Sequence, residues 1–354
     1  MLTICLMLAV ALLVTAAMGQ DALFEDVHVV KMEKGQYGPR GMPGDIIELK
    51  DGSLLMCYTQ GGIVGRTSTD KGKTWSEAFA LVPNPGPSME RGYYCHPSFA
   101  RLANGDILLS YIYGSGSLPY YGHNYYRRSR DEGKTWGDQF ICTPMPGYVI
   151  MHNDKMRVLS SGRILAPTEY KKRWPDSNDH GGYVAEVFYS DDNGYSWFRG
   201  NNDVDFNPHE AQEAHVVELK NGTVMMMFRT YSGWMGQAFS PDGGVSWSQP
   251  EAREDLSLPR SGAVSVDRIP ATGDLLLIRI TGSCDGKRRA PLTAMISKDE
   301  GQTWENPRDI GADPEDDYGY QSVTFVDDMA IISYHARDGL HVARIKTDWF
   351  YQQD

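Results

Sequence analysis

The sequence predicts an all-β protein, a six-bladed β-propeller, on three observations: two interleaved repeats, and no long segment with helical apolar periodicity. The first repeat is S-x-D-x-G-x-[S/T]-W, found at Ser68 to Trp75, Ser129 to Trp136, Ser190 to Trp197, Ser240 to Trp247 and Ser297 to Trp304. Its aspartates (Asp70, Asp131, Asp192, Asp242, Asp299) are 61, 61, 50 and 57 residues apart, each about enough for a four-stranded blade. Each copy reads as a hairpin turn, in which Asp accepts turn amides, Gly permits a positive φ and Trp packs between neighbouring sheets.

The second repeat pairs a turn glycine with a following apolar strand, at Gly52, Gly105, Gly162, Gly222 and Gly273, with a weaker sixth copy around Asp328. The steps are 53, 57, 60, 51 and 55 residues, so six hairpins are spread evenly along the chain. The strand around Val27 to Val30 is expected to complete the last blade beside Leu340 to Ile345, closing the ring without exposed edges.

Residues 1–19 carry no charge, with an apolar run from Leu2 to Val14 and the small residues Ala16, Ala17 and Gly19 before Gln20. This reads as a signal peptide, leaving residues 20–354 as one propeller domain in a secreted or periplasmic protein. No later apolar run is long enough to cross a bilayer, so no stable membrane insertion is expected after cleavage. A formal net charge of −12 argues against a general nucleic-acid surface. An anionic substrate would need a local arginine cluster working against that field. Cys57, Cys95, Cys142 and Cys284 show no C-x-x-C spacing; an exported chain can pair some of them, but the sequence carries no connectivity.

In a propeller the innermost strand of each blade lines the axis, so counting back from each turn glycine gives a register. Nine residues before it lie Pro43, His96, Asn153 and Glu213, and seven before Gly52 lies Asp45. Seven residues after it lie Thr59, Ile112, Glu169 and Arg229, so Glu169 and Arg229 take matching places in adjacent blades, able to pair or to share a ligand. His96 and His152 enter the candidate site on this register, whereas His28 and His341 read as ordinary strand or surface residues.

With five such repeats, called Asp boxes, the chain resembles the bacterial sialidase (neuraminidase) family over nearly all of its length after the leader. Q-E-A-H-V-V-E-L-K-N-G followed by M-M-F-R is similar to the segment carrying a glutamate and the second arginine of a three-arginine clamp, which maps them to Glu213 and Arg229. R-A-P-L-T-A-M-I-S before the last box resembles the segment of the third arginine, giving Arg289 with Arg288 as its alternative. G-Y-Q-S-V-T-F resembles the segment of the tyrosine nucleophile, giving Tyr320. Two departures stand out. The family has Arg-Ile-Pro where this chain has Arg40-Gly41-Met42-Pro43, and the stretch where the family's acid/base aspartate belongs, C-Y-T-Q-G-G-I-V-G-R-T, holds no carboxylate.

The resemblance implies retaining hydrolysis of a terminal sialic acid or related acidic sugar. Arg40, Arg229 and Arg289 would hold a carboxylate, Glu213 would take the phenolic proton, and Tyr320 would attack an anomeric carbon that already bears a negative group. The missing aspartate calls for a substitute proton donor: Asp45 first on register, then Glu169, His96 or His152. Another glycosidase, a polysaccharide lyase and a non-catalytic carbohydrate-binding propeller are the alternatives, because the boxes specify fold better than chemistry. The expected partner is an anionic glycan; no metal or organic cofactor is called for, and the boxes lack the ligand density of calcium loops.

Overall fold

The computed structural model describes residues 22–32, 42–83, 93–114, 121–172, 182–259, 262–284 and 288–352. The leader lies outside them. Among the described residues no helix is long and apolar enough to cross a membrane.

Six antiparallel sheets follow one another along the chain. Their innermost strands are Gly44–Glu48 in blade 1, Tyr93–Arg101 in blade 2, Gln212–Glu218 in blade 4, Val264–Arg268 in blade 5 and Gly319–Val326 in blade 6. In blade 3 the innermost strand is split into Val149–Ile150 and Arg157–Val158, both paired with Ile164–Lys171. Blade 6 closes the ring as expected: the outermost strand Phe24–Lys31 pairs antiparallel with Gly339–Lys346, with Val27 opposite Val342 and Val30 opposite Leu340.

Burial explains why the blades form a ring. The apolar residues make six layers, each between two neighbouring blades; Leu55, Cys57 and Ile63 of blade 1, for example, pack on Phe99, Leu109 and Tyr111 of blade 2. A single blade would leave both faces wet, so closure supplies the hydrophobic driving force. Trp75, Trp136, Trp197, Trp247 and Trp304 of the boxes each pack on the layer shared with the preceding blade. Blade 6 has no box. Its third strand runs instead into a short 3-10 helix, Thr347–Tyr351, whose Trp349 and Phe350 fill the layer between blades 5 and 6.

Each box is one hydrogen-bonded turn. The serine hydroxyl donates to the aspartate at 2.8 Å in all five copies. The glycine amide donates back to that hydroxyl at 2.7 to 2.8 Å. Gly244 shows why glycine stands there: its φ is +89°, and a Cβ would lie 2.8 Å from Leu165 of the preceding blade. Cys57, Cys95 and Cys142 are buried and free.

These turns predict an acid limit to stability. Asp131 and Asp299 are held down to about 2 from an ordinary 3.8, first by the hydroxyls of Thr135 and Thr303. Glu132 and Glu300 are held down to about 2 from 4.5, first by Arg101 and Arg268. Because the folded-state values are depressed, this stabilisation is complete above a pH of about 4.5 and is lost as the pH falls towards about 2. Thermal midpoints followed by circular dichroism between those limits should drop steeply; a midpoint that stays level would exclude these carboxylates as the cause.

Candidate active site

The site is built from bulges. In blades 2, 4 and 6 the innermost strand slips register between Cys95 and Ser98, Gln212 and His215, and Gly319 and Ser322. His96, Glu213 and Tyr320 sit in those slips with φ of 52°, 50° and 53°. A non-glycine residue in the left-handed region costs on the order of 1 to 3 kcal/mol, a strain that surrounding structure must hold. Part of the hold is visible: the amide of His96 donates to Thr59 Oγ1 at 3.1 Å, and that of Glu213 to Glu169 Oε2 at 3.1 Å. Both acceptors lie seven residues after the turn glycine of the preceding blade. Asn153 Nδ2 donates at 2.8 Å to the carbonyls of both Gly44 and Tyr320, joining blades 1, 3 and 6.

The bulged side chains form a continuous set of contacts. The Tyr320 ring is 5.0 Å from His96 and 5.8 Å from His152, centroid to centroid, and the Arg289 guanidinium lies 5.6 Å from the tyrosine ring. His96 and His152 approach Nδ1 to Nδ1 at 3.3 Å, so one proton is shared between two acceptor-capable nitrogens. His152 Nε2 is 3.5 Å from Glu169 Oε1. Arg229 Nη1 donates to Glu213 Oε1 at 2.7 Å, so Arg229 pairs with Glu213 and not with its register mate Glu169. Burial works against the Arg229 charge, yet Glu213, Tyr231 and Tyr320 hold its pKa above the ordinary value.

Of the two adjacent arginines, Arg289 is the buried one, its Nε 3.3 Å from Asp317 Oδ1 and its Nη2 without a hydrogen-bond partner. A buried guanidinium nitrogen left unpaired is a donor waiting for an acceptor. Arg288 turns outward to Glu315. Beside Arg229, whose Nη2 donates to Tyr231 Oη at 3.2 Å, a cleft of about 440 Å³ opens between blades 4 and 5, lined by Tyr231, Leu258 and Thr281. Arg40 falls outside the described residues.

Asp45, the first substitute donor on register, also links two blades. Its Oδ1 accepts the amide of Ile46 and its Oδ2 that of Phe99 in blade 2, each at 2.7 Å, so both oxygens are committed to backbone. It belongs to a layer around the axis with the buried Asp154, Lys155 and His215 and the half-buried Arg157 and Asp267. Arg157 donates to Asp154 at 2.9 Å and to Asp267 at 2.7 Å. Asp154 also accepts the amide of Val323 in blade 6 at 3.0 Å. His215 Nδ1 accepts the Val266 amide, and its Nε2 lies 2.8 Å from Arg157 Nη2 and 2.9 Å from the Asp154 carbonyl; burial, then Arg157, holds its pKa well below the ordinary value. Asp154, His215 and Asp267 face one another as metal ligands would, but the Arg157 guanidinium bonds both carboxylates.

The residues of this layer lie five to eight positions before their turn glycines, so a register extended by a few residues would have found Asp154, His215 and Asp267. Glu210 had no such signal, standing on the chain between blades 3 and 4. It is buried, with Oε1 unpartnered and Oε2 bonded to Gln212, and burial, then Glu169, pushes its pKa up to about 7.

Residues 62–332 match a family model described as a BNR repeat-like domain. A sialidase of Micromonospora viridifaciens is 26% identical over 295 residues, covering 74% of this chain and 43% of that protein. The chain thus spans less than half the length of the curated relatives it matches. Among solved structures, a protein of unknown function from Dyadobacter fermentans superposes with a TM-score of 0.73 at 20% identity, covering 91% of this chain and 98% of the other. The intramolecular trans-sialidase from Ruminococcus gnavus superposes with a TM-score of 0.68 at 15% identity, covering 88% and 95%. These likenesses bear on the fold.

If Asp45 is a brace between blades 1 and 2, Asp45→Asn turns an amide towards one of the two backbone N–H groups. Urea unfolding should then show a loss of about 1 to 3 kcal/mol, the cost of a buried donor left unpaired. Unchanged stability would return Asp45 to the list of proton donors.

Proposed function

This chain belongs to the BNR repeat-like domain family, in a propeller of the sialidase type, and from that premise we propose that it is an exo-acting, retaining glycosidase for a terminal sialic acid or a closely related acidic sugar. One observation carries the reading: Arg289, buried and with a free donor, lies over the ring of Tyr320, which the bulged backbone of blade 6 places against His96 and His152 of blades 2 and 3.

In this proposal Arg229 and Arg289 hold the substrate carboxylate, with Arg40 as the third member of the clamp. Glu213, already hydrogen-bonded to Arg229, takes the proton of Tyr320 as the phenolic oxygen attacks the anomeric carbon. The bond to the leaving oxygen breaks, and that oxygen needs a proton. The stretch without a carboxylate leaves this task to the His96 and His152 pair, backed by Glu169, since imidazole is the side chain that holds and releases a proton near neutral pH. Water then cleaves the glycosyl-tyrosine bond as the His96 and His152 pair takes up its proton, Glu213 returns the phenolic proton to Tyr320, and the configuration is retained. An exported protein, as the apolar leader suggests, would meet such glycans outside the cytoplasm.

Tyr320→Phe should lower phenol release from an aryl sialoside by on the order of 10³-fold or more. Equal release by the variant would rule out the tyrosine nucleophile, and no release by the unaltered protein would rule out sialic acid as substrate. His152→Gln separates the proton donor from the nucleophile. Turnover of an unactivated sialyl-oligosaccharide should fall about 10²- to 10⁴-fold while an aryl sialoside, whose leaving group needs little help, is far less affected. An equal fall on both substrates would mean that His152 positions Tyr320 and does not deliver the proton.

A further inference from the structure

On the opposite, outer side of blade 6, the strand that closes the ring brings His28 directly across from His341, with the turn residue Asp338 beside both. The two imidazoles stack at 4.1 Å between centroids. Their hydrogen bonds decide which nitrogen each one offers. His28 Nε2 is 3.0 Å from the Asp338 carbonyl, which can only accept, so Nε2 carries the proton and Nδ1 keeps the lone pair, 3.7 Å from Asp338 Oδ2. His341 Nδ1 is 2.9 Å from Asp26 Oδ2 and its Nε2 is 2.9 Å from Asp338 Oδ1, so each of its ring nitrogens faces a carboxylate oxygen and a metal ion would take the place of the Nε2 proton. One nitrogen of each ring thus faces the same carboxylate, which groups three metal-ligating side chains at one point of the blade edge.

We propose that His28, Asp338 and His341 form a binding site for one divalent transition-metal ion of the zinc type, which staples the closing strand to the last blade. Zinc bonds of about 2.0 to 2.1 Å at a tetrahedral centre separate neighbouring ligand atoms by about 3.3 Å, and one ligand atom from each of the three residues lies within 4.8 Å of the others, so a small adjustment of the side chains would bring them to one ion. The outer partners are also in place. Asp26 holds His341 by Nδ1 and is itself held by Tyr334 Oη at 2.9 Å, the carboxylate-histidine arrangement that orients metal-binding imidazoles. The Asp338 turn is pinned because its carbonyl accepts the Met32 amide at 2.7 Å, and because Gly339 packs against the closing strand where a Cβ would lie 1.8 Å from the Val30 carbonyl. Two nitrogens and a carboxylate suit zinc, nickel or cobalt better than calcium or magnesium. The net charge of −12 favours cations over anions at the surface.

The test is calorimetric titration of zinc chloride into the protein, purified without a polyhistidine tag and stripped with EDTA. One saturable equivalent is expected, with a thermal midpoint raised by zinc because the ligands come from the first and last strands of the ring. Asp26→Asn should weaken binding about 10- to 100-fold, and the pair Asp338→Asn with His341→Gln should abolish it while the circular dichroism spectrum is kept. His28→Gln, on the other strand, should also abolish the rise in midpoint and serves if the double variant does not fold. Cobalt(II) bound at the same site should show the visible absorption of a low-coordinate nitrogen-ligated ion. Absence of saturable zinc binding by the unaltered protein, or undiminished binding by the variants, overturns the site.

Discussion

The Arg157 guanidinium, bonded to Asp154 of its own blade and Asp267 of blade 5, is the contact on which the middle of the ring depends. Six innermost strands cannot meet at an axis without bringing backbone amides and carboxylates together away from water. Buried ion pairs persist when every remaining donor and acceptor is also satisfied, and removal of one partner typically costs several kcal/mol. Here Asp154 takes an amide of blade 6, Asp45 an amide of blade 2, and His215 an amide of blade 5, and Asp267 Oδ2 alone of this layer's carboxylate oxygens has no hydrogen-bond partner among the described residues. The polar layer therefore ties together blades that share no sheet, while the apolar layers tie only neighbours.

On that platform the site layer is assembled by strain. His96, Glu213 and Tyr320 occupy alternate blades at positive φ, and each bulge lifts a side chain out of the strand's two-residue alternation towards the axis. The stiffness needed for this comes from below and from the sides: Asn153 holds the Tyr320 carbonyl, and Thr59 and Glu169 hold the bulge amides. Glu169 thus has two tasks, since its second oxygen faces His152. Positions that a register would assign to the same role divide into floor and site because one oxygen or two are already taken by backbone.

The same economy of repeats accounts for the outer ring. Five box tryptophans seal five interfaces, and the sixth is sealed by Trp349 of the terminal 3-10 helix, which occupies the place after the third strand where a box would stand. Blade 6 alone is made from both ends of the propeller, so its edge carries paired side chains, His28 opposite His341, that no internal blade contains.

Taken alone, the sequence determined the number of blades, their turn chemistry and the closing strand. All of these rest on short periodic signals, in which a glycine, an aspartate and a tryptophan at set spacing have one physical use each. Tertiary structure alone decided that Arg289 and not Arg288 turns inward, that Arg229 pairs with Glu213, and that Asp45 braces two blades. It also decided the burial of Glu210 and the contacts of the axial layer. Those outcomes turn on which donors and acceptors meet across blades some fifty residues apart in the chain, and a bulge of one residue shifts them from one face to the other.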